Sequence, residues 1–127
     1  IRFTPTGPAG FLTAAGAPLT TAELISGQPV GLDHAWYEEG AVKAGIWRSC
    51  GYTEFYESYP CDEFMVVLEG EVTVENESFS ATYKAGDSFL IPKGFRGFWR
   101  QPGDMLKYYM IVSQKWRISF YMKRRKI

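Results

Sequence analysis

Histidine is almost absent from this chain and cysteine is scarce: His34, Cys50 and Cys61 are the whole supply in 127 residues. Two cysteines are too few for a disulfide scaffold and give no zinc-ligand spacing. On a cytosolic prior both are expected as buried or free thiols rather than a bridge. No apolar run approaches the ~20 residues that a membrane-spanning helix needs, and no signal-peptide pattern is visible. The sequence opens on Ile1 rather than methionine, so the natural start is expected elsewhere. The formal net charge is zero, so no global field draws the chain to nucleic acid or to a membrane surface. A long amphipathic helix is missing too. Thr20 to Ile25 reads as a brief helical turn, capped by Thr20 or Thr21, that soon meets Gly27 and Pro29. These absences leave a soluble cytoplasmic domain as the default.

What is abundant is aromatic. Phe, Trp and Tyr make up 17% of the residues and hydrophobic types 46%, enough for one domain to bury a core without staples. The charges are unevenly spread. Every acidic residue precedes position 115, whereas Lys115, Arg117, Lys123, Arg124, Arg125 and Lys126 follow it. That basic end reads as a solvated tail or as a contact to the acidic body of a neighbouring subunit. With no basic body behind it, nucleic-acid binding is not expected.

From Ala41 onward, short apolar runs recur about every eight to twelve residues, punctuated by Gly, Pro and Asn, which is the pattern of a β-sandwich or barrel. Strands are expected over 42–50, 52–59, 63–68, 88–91, 95–100, 106–112 and 116–122. A hairpin is expected from 71–75 and 79–83 across Asn76-Glu77-Ser78. Glu38-Glu39-Gly40 reads as a turn. The chain divides into an N-terminal arm with edge strands (1–40), a barrel (41–114), and a C-terminal strand with the basic tail (115–127). No internal repeat and no second domain is visible.

Two glycine-bounded segments stand out: Glu63-Phe64-Met65-Val66-Val67-Leu68-Glu69-Gly70 and Gly86-Asp87-Ser88-Phe89-Leu90-Ile91-Pro92-Lys93-Gly94. Glu63 with Gly70, and Gly86 with Pro92 and Gly94, resemble the two sequence motifs of the cupin superfamily. The wider run, including Ala85-Gly86-Asp87-Ser88, Ile91 to Trp99 and Leu106-Lys107-Tyr108-Tyr109, is similar to small cupins related to ethanolamine-utilisation proteins and ureidoglycine aminohydrolase, the DUF861-like branch. The resemblance spans roughly residues 41–112. It implies an all-β double-stranded β-helix, a jelly-roll barrel, with a ligand cavity. As a guide to function it is weak, because this fold hosts many chemistries.

The resemblance also implies where a metal would sit. A full cupin site uses two His and the Glu of the first motif, plus one His of the second. Counted from Glu63 with a three-residue gap and from Gly94, those positions fall on Glu57, Tyr59, Glu63 and Gly97; a four-residue gap moves the first two to Tyr56 and Ser58, and none of these is a histidine. The first reading is therefore no metal. The alternative is a hard divalent cation such as Mn²⁺ held by Glu57, Tyr59 and Glu63 with waters.

Glu57, Tyr59 and Glu63 are the candidate catalytic residues. Glu57 and Glu63 are expected to face one interior, where two carboxylates split their pKa values and serve as acid and base. The plainer reading pairs each with Arg48, Arg96 or Lys107. In the strand 52–59, the two-residue period places Thr53, Phe55, Glu57 and Tyr59 on one face, opposite Tyr52, Glu54, Tyr56 and Ser58. Trp47, Arg48, Trp99, Lys107 and Tyr109 are candidate ligand-binding residues. Aromatic walls suit a small organic ligand, and ordinary core packing explains the same residues as well. His34 lies upstream of the resemblance and reads as structural, as does Cys61, which has no base beside it. The expected partner is a small polar metabolite in the barrel, and the expected assembly a homodimer. The runner-up is a divalent-metal-dependent hydrolase or isomerase.

Overall fold

A computed structural model describes residues 1–113. It contains eleven strands and, among the described residues, no helix. They are β1 (Ala17–Pro18), β2 (Leu24–Gly27), β3 (Val30–Glu39), β4 (Val42–Ser49), β5 (Tyr52–Tyr56), β6 (Asp62–Glu69), β7 (Glu71–Asn76), β8 (Phe79–Lys84), β9 (Ser88–Ile91), β10 (Gly97–Gln101) and β11 (Met105–Val112). They form two antiparallel sheets, ordered β1-β3-β4-β11-β6-β9 and β2-β5-β10-β7-β8. This is the expected jelly roll. The expected strand at 116–122 lies outside the described residues.

The core between the sheets follows from alternation. Met65 and Val67 on β6, Val72 and Val74 on β7, and Trp99 on β10 all point inward and are buried. A second, smaller cluster lies on the outer face of the six-stranded sheet. There Phe11 covers Ile46 and Leu106, and the Phe3 ring packs 4.9 Å from Trp36 and 5.4 Å from Tyr108. The N-terminal arm is thus a cover for one sheet. His34 stacks edge-on against Trp36 at 5.6 Å and takes no part in the barrel interior.

Three expectations before residue 41 are corrected. Leu24–Gly27 forms a strand paired with β5, not a helical turn, because its backbone groups find a sheet edge to bond. Glu38 and Glu39 end a ten-residue strand, and the turn itself falls on Gly40, at φ 57°. That strand pairs with β4 from Gly31 to Glu39 and sits inside the sheet, so the barrel begins before residue 41. Its mixed polar composition hid it from a period-two reading.

Candidate functional site

A cavity of about 610 Å³ opens between the sheets, floored by β5, β6 and β11 and lipped by Leu19 to Ala22. Glu63 reaches it from β6 and is 6% exposed. Tyr59 donates its hydroxyl to Glu63 Oε1 at 2.6 Å, and the Lys107 ammonium donates to Glu63 Oε2 at 3.1 Å. The two oxygens are thus both satisfied, which offsets the cost of burying the charges. Lys107 also donates to Met65 Sδ at 3.1 Å, and its ammonium lies 4.5 Å from the Trp47 ring centroid and 4.6 Å from that of Trp99. Ring faces add attraction for a cation there.

Tyr59 is aimed inward by the loop of the second glycine-bounded segment. Its N–H donates to the Phe95 carbonyl at 2.8 Å, and its carbonyl accepts from Gly94 N–H at 2.8 Å. Asp62 Oδ1 accepts from Lys93 N–H at 2.9 Å on the same loop. Burial, then the Glu63 charge, push the Tyr59 hydroxyl well above its ordinary pKa, so it stays a donor.

Glu57 goes the other way. Bends at Glu57 and Ser58 end β5 at Tyr56 and break the two-residue period. Tyr59 therefore turns inward, while Glu57 stands at the rim with a 72% exposed side chain, 3.5 Å from Arg96 Nε. The expected pairing of Glu57 with Glu63 in one interior is not formed. In its place stands Glu54, 3% exposed and on the inward face with Tyr52 and Tyr56. The Tyr56 hydroxyl donates to Glu54 Oε1. Burial pushes the Glu54 carboxyl up to about 7; Lys107 pulls against this and Glu63 adds to it. The face containing Tyr52, Glu54 and Tyr56 was available in the sequence; the choice between the two faces was not.

Of the expected ligand-binding residues, Trp47, Lys107 and Tyr109 line the cavity. Tyr109 donates its hydroxyl to Asp33 Oδ1, and Asp33 is also held by Lys43 at 3.0 Å. Trp99 lies behind Trp47, their rings edge to face at 6.5 Å, and its indole N–H donates to Gln101 Oε1 at 3.1 Å. Arg48 does not reach the cavity. It points to the outer side of β4, over the Phe11 ring at 5.7 Å, and donates to the Ala14 carbonyl. Asp33, Tyr52 and Glu54 also line the cavity and were not among the expected site residues; Tyr56 was reached only by the four-residue gap. Cys61 is buried, and burial followed by the Glu63 charge pushes its thiol up to about 11, which leaves it a poor nucleophile. Cys50 and Cys61 are both free thiols.

A family model described as the EutQ-like cupin domain matches residues 37–125. The chain belongs to the EutQ-like cupin family. Solved structures agree in fold. A Pseudomonas syringae protein of unknown function from the DUF861 family is 24% identical with a TM-score of 0.70, over 78% of this chain and 43% of its own. This cupin therefore spans less than half of that protein's length. The Clostridium difficile EutQ protein is 16% identical with a TM-score of 0.59, over 69% of this chain and 71% of its own. A Salmonella typhimurium protein assigned as ethanolamine utilization protein Q is 25% identical with a TM-score of 0.57, over 68% and 71%. No curated protein matches.

The metal that cupins commonly carry does not fit the residues this cupin presents. Glu57 is turned out to Arg96, and Gly97 offers no donor. A Cβ added at Gly97 would lie 2.5 Å from the Glu75 carbonyl and 2.6 Å from the Phe95 ring. Both oxygens of Glu63 are engaged, one by an ammonium. Among the described residues no three His, Cys, Asp or Glu side chains converge as metal ligands. Nor is any helix long and apolar enough to cross a membrane.

Proposed function

We propose that this EutQ-like cupin binds a small polar metabolite in its barrel cavity without a metal, the Lys107–Glu63 ion pair taking the ground a metal and its glutamate would occupy. The observation that carries this is the 3.1 Å contact from Lys107 Nζ to Glu63 Oε2, between two side chains 7% and 8% exposed. A fixed ammonium beside the carboxylate supplies positive charge with no exchangeable ion. The aromatic wall of Trp47, Tyr52, Tyr56 and Tyr59 supplies area, and Glu54 supplies a polar anchor. The volume suits a metabolite-sized ligand. The rival reading, a divalent-cation-dependent hydrolase or isomerase using Glu57, Tyr59 and Glu63, requires Glu57 to leave Arg96 and Lys107 to leave Glu63.

Two measurements test the proposal. Elemental analysis of protein purified without chelator, repeated on Glu63→Gln, should find no stoichiometric metal in either. A metal present in the wild type and lost in the variant would overturn the metal-free reading. Thermal shift against a panel of small amines, carboxylic acids and polyols should raise Tm for at least one class, and less so in Trp47→Ala. Silence across the panel would overturn the cavity as a binding site.

A further inference from the structure

We infer that the ligand of this cavity carries a positively charged amine, and that Glu54 is the residue that anchors it. This rests on the cavity being a binding site, and it adds the chemical class of the occupant.

The charge of the lining comes first. The ionisable side chains around the cavity, leaving the phenols aside, are Asp33 from β3, Glu54 from β5, Glu57 at the rim, Glu63 from β6 and Lys107 from β11. Four are carboxylates and one is an ammonium. Three of the carboxylates already have a cationic partner: Asp33 has Lys43, Glu57 has Arg96, and Glu63 has Lys107. Among the described residues Glu54 has none within salt-bridge reach, although it is 3% exposed. Its recorded hydrogen bond, from the Tyr56 hydroxyl, takes Oε1; no partner among the described residues takes Oε2. With its other edge on the cavity and Lys107 beyond salt-bridge reach, Glu54 has no close counter-charge until a ligand supplies one.

The walls select the same class. Their faces already hold one ammonium, that of Lys107, between Trp47 and Trp99. The Tyr56 and Tyr59 rings lie 4.6 Å apart beside Glu54 and Glu63, a setting that favours an organic cation over an anion. A carboxylate ligand would instead face four lining carboxylates with only Lys107 to greet it, and Lys107 is engaged. A bare metal ion is disfavoured because the acidic groups do not converge. An amine joined to a short apolar or hydroxylated stem meets both the charge and the rings.

Binding should also move a proton. Glu54 is held near neutrality by its burial, with its carboxyl pushed up to about 7, so an arriving ammonium ionises it. The phenols of Tyr52, Tyr59 and Tyr109 stay neutral through this range, because burial raises all three well above it.

The probes are butylamine, butanol and butyrate, matched in shape and different in charge, titrated by calorimetry and by tryptophan fluorescence. Butylamine should bind at least about tenfold more tightly than butanol, and butyrate least. Between about pH 6 and about pH 8 butylamine affinity should rise roughly tenfold as Glu54 ionises. Glu54→Gln should abolish both the preference and the pH effect, whereas Glu71→Gln on the outer surface should leave both. The charge series on the wild-type protein decides the question even if Glu54→Gln folds poorly. Equal affinities, or butyrate bound best, would overturn the amine assignment and leave the cavity reading standing. Binding of none of the three overturns the amine assignment too; the cavity reading falls with it only if the wider thermal-shift panel is also silent.

Discussion

Lys107 Nζ lies 3.1 Å from Glu63 Oε2, and both side chains are buried between the two sheets. The glutamate is the one the cupin motif would give to a metal, and here β11, the strand paired directly with β6, supplies a lysine to it instead. Removing one member of such a pair strands the other. Lys107→Met should therefore cost about 3–5 kcal/mol by urea unfolding, because the buried Glu63 loses its counter-charge. Adding Glu63→Leu to that variant should recover most of the loss. A double variant no more stable than the single one would show that the cost came from lost packing on Trp47 and Trp99.

Glu54 makes stability depend on pH. Its carboxyl is raised by burial from the ordinary 4.5 to about 7, so the folded protein holds a proton that the unfolded chain has released. The contribution is complete below about pH 4.5 and is lost as pH rises through about 7, amounting to roughly 2 kcal/mol once solvent at the cavity mouth is allowed for. Chemical unfolding at about pH 5 and about pH 8 should show that decline in the wild type. Glu54→Gln should flatten it and be the more stable of the two at the higher pH.

Restoring a histidine should not restore a metal site. Gly97 sits where the second cupin motif expects one, but an added Cβ would press on the Glu75 carbonyl and the Phe95 ring. Gly97→His should lower stability by more than about 2 kcal/mol, since backbone must move to admit it. Elemental analysis of the folded fraction after Mn²⁺ dialysis should find no stoichiometric metal. Stable protein carrying one Mn²⁺ would contradict this.

Gly70 closes the first motif for a backbone reason. Its φ is +81°, and an added Cβ would lie 2.2 Å from the Asp104 carbonyl. Gly70→Ala should cost more than about 1 kcal/mol in thermal or urea unfolding. Gly103→Ala, where nothing lies within 4 Å of the added atom and φ is not positive, should stay within about 0.5 kcal/mol of wild type.

Most of the barrel from β4 onward was legible, because Gly70, Gly86, Pro92 and Gly94 punctuate apolar runs of strand length. β9 matches its expected bounds, and the β7–β8 hairpin turns where Asn76-Glu77-Ser78 predicts. β3 was not legible. Its burial depends on β4 and β11 beside it, and a strand reading Val-Gly-Leu-Asp-His-Ala-Trp-Tyr-Glu-Glu shows no clean alternation. The site was half legible. Of the residues that line the cavity, counting back from Glu63 reached Tyr59, strand position suggested Trp47 and Tyr109, and the search for an ion-pair partner named Lys107. The same count chose Glu57 over Glu54, because it carried strand parity through two bends that no local residue announces.

The sequence by itself determined the all-β jelly roll, its glycine-bounded corners and the lack of imidazole at the expected metal positions. Those are consequences of turn chemistry, two-residue alternation and residue identity, which are local. Only the tertiary structure decided that Lys107 meets Glu63, that Glu57 leaves the interior for Arg96, and that Glu54 faces the cavity without a salt-bridge partner. Ion pairs and burial depend on which strands become neighbours and where a chain bends, and these contacts join residues far apart in sequence. Alternation says that two faces exist; packing against the opposite sheet chooses which one is inside.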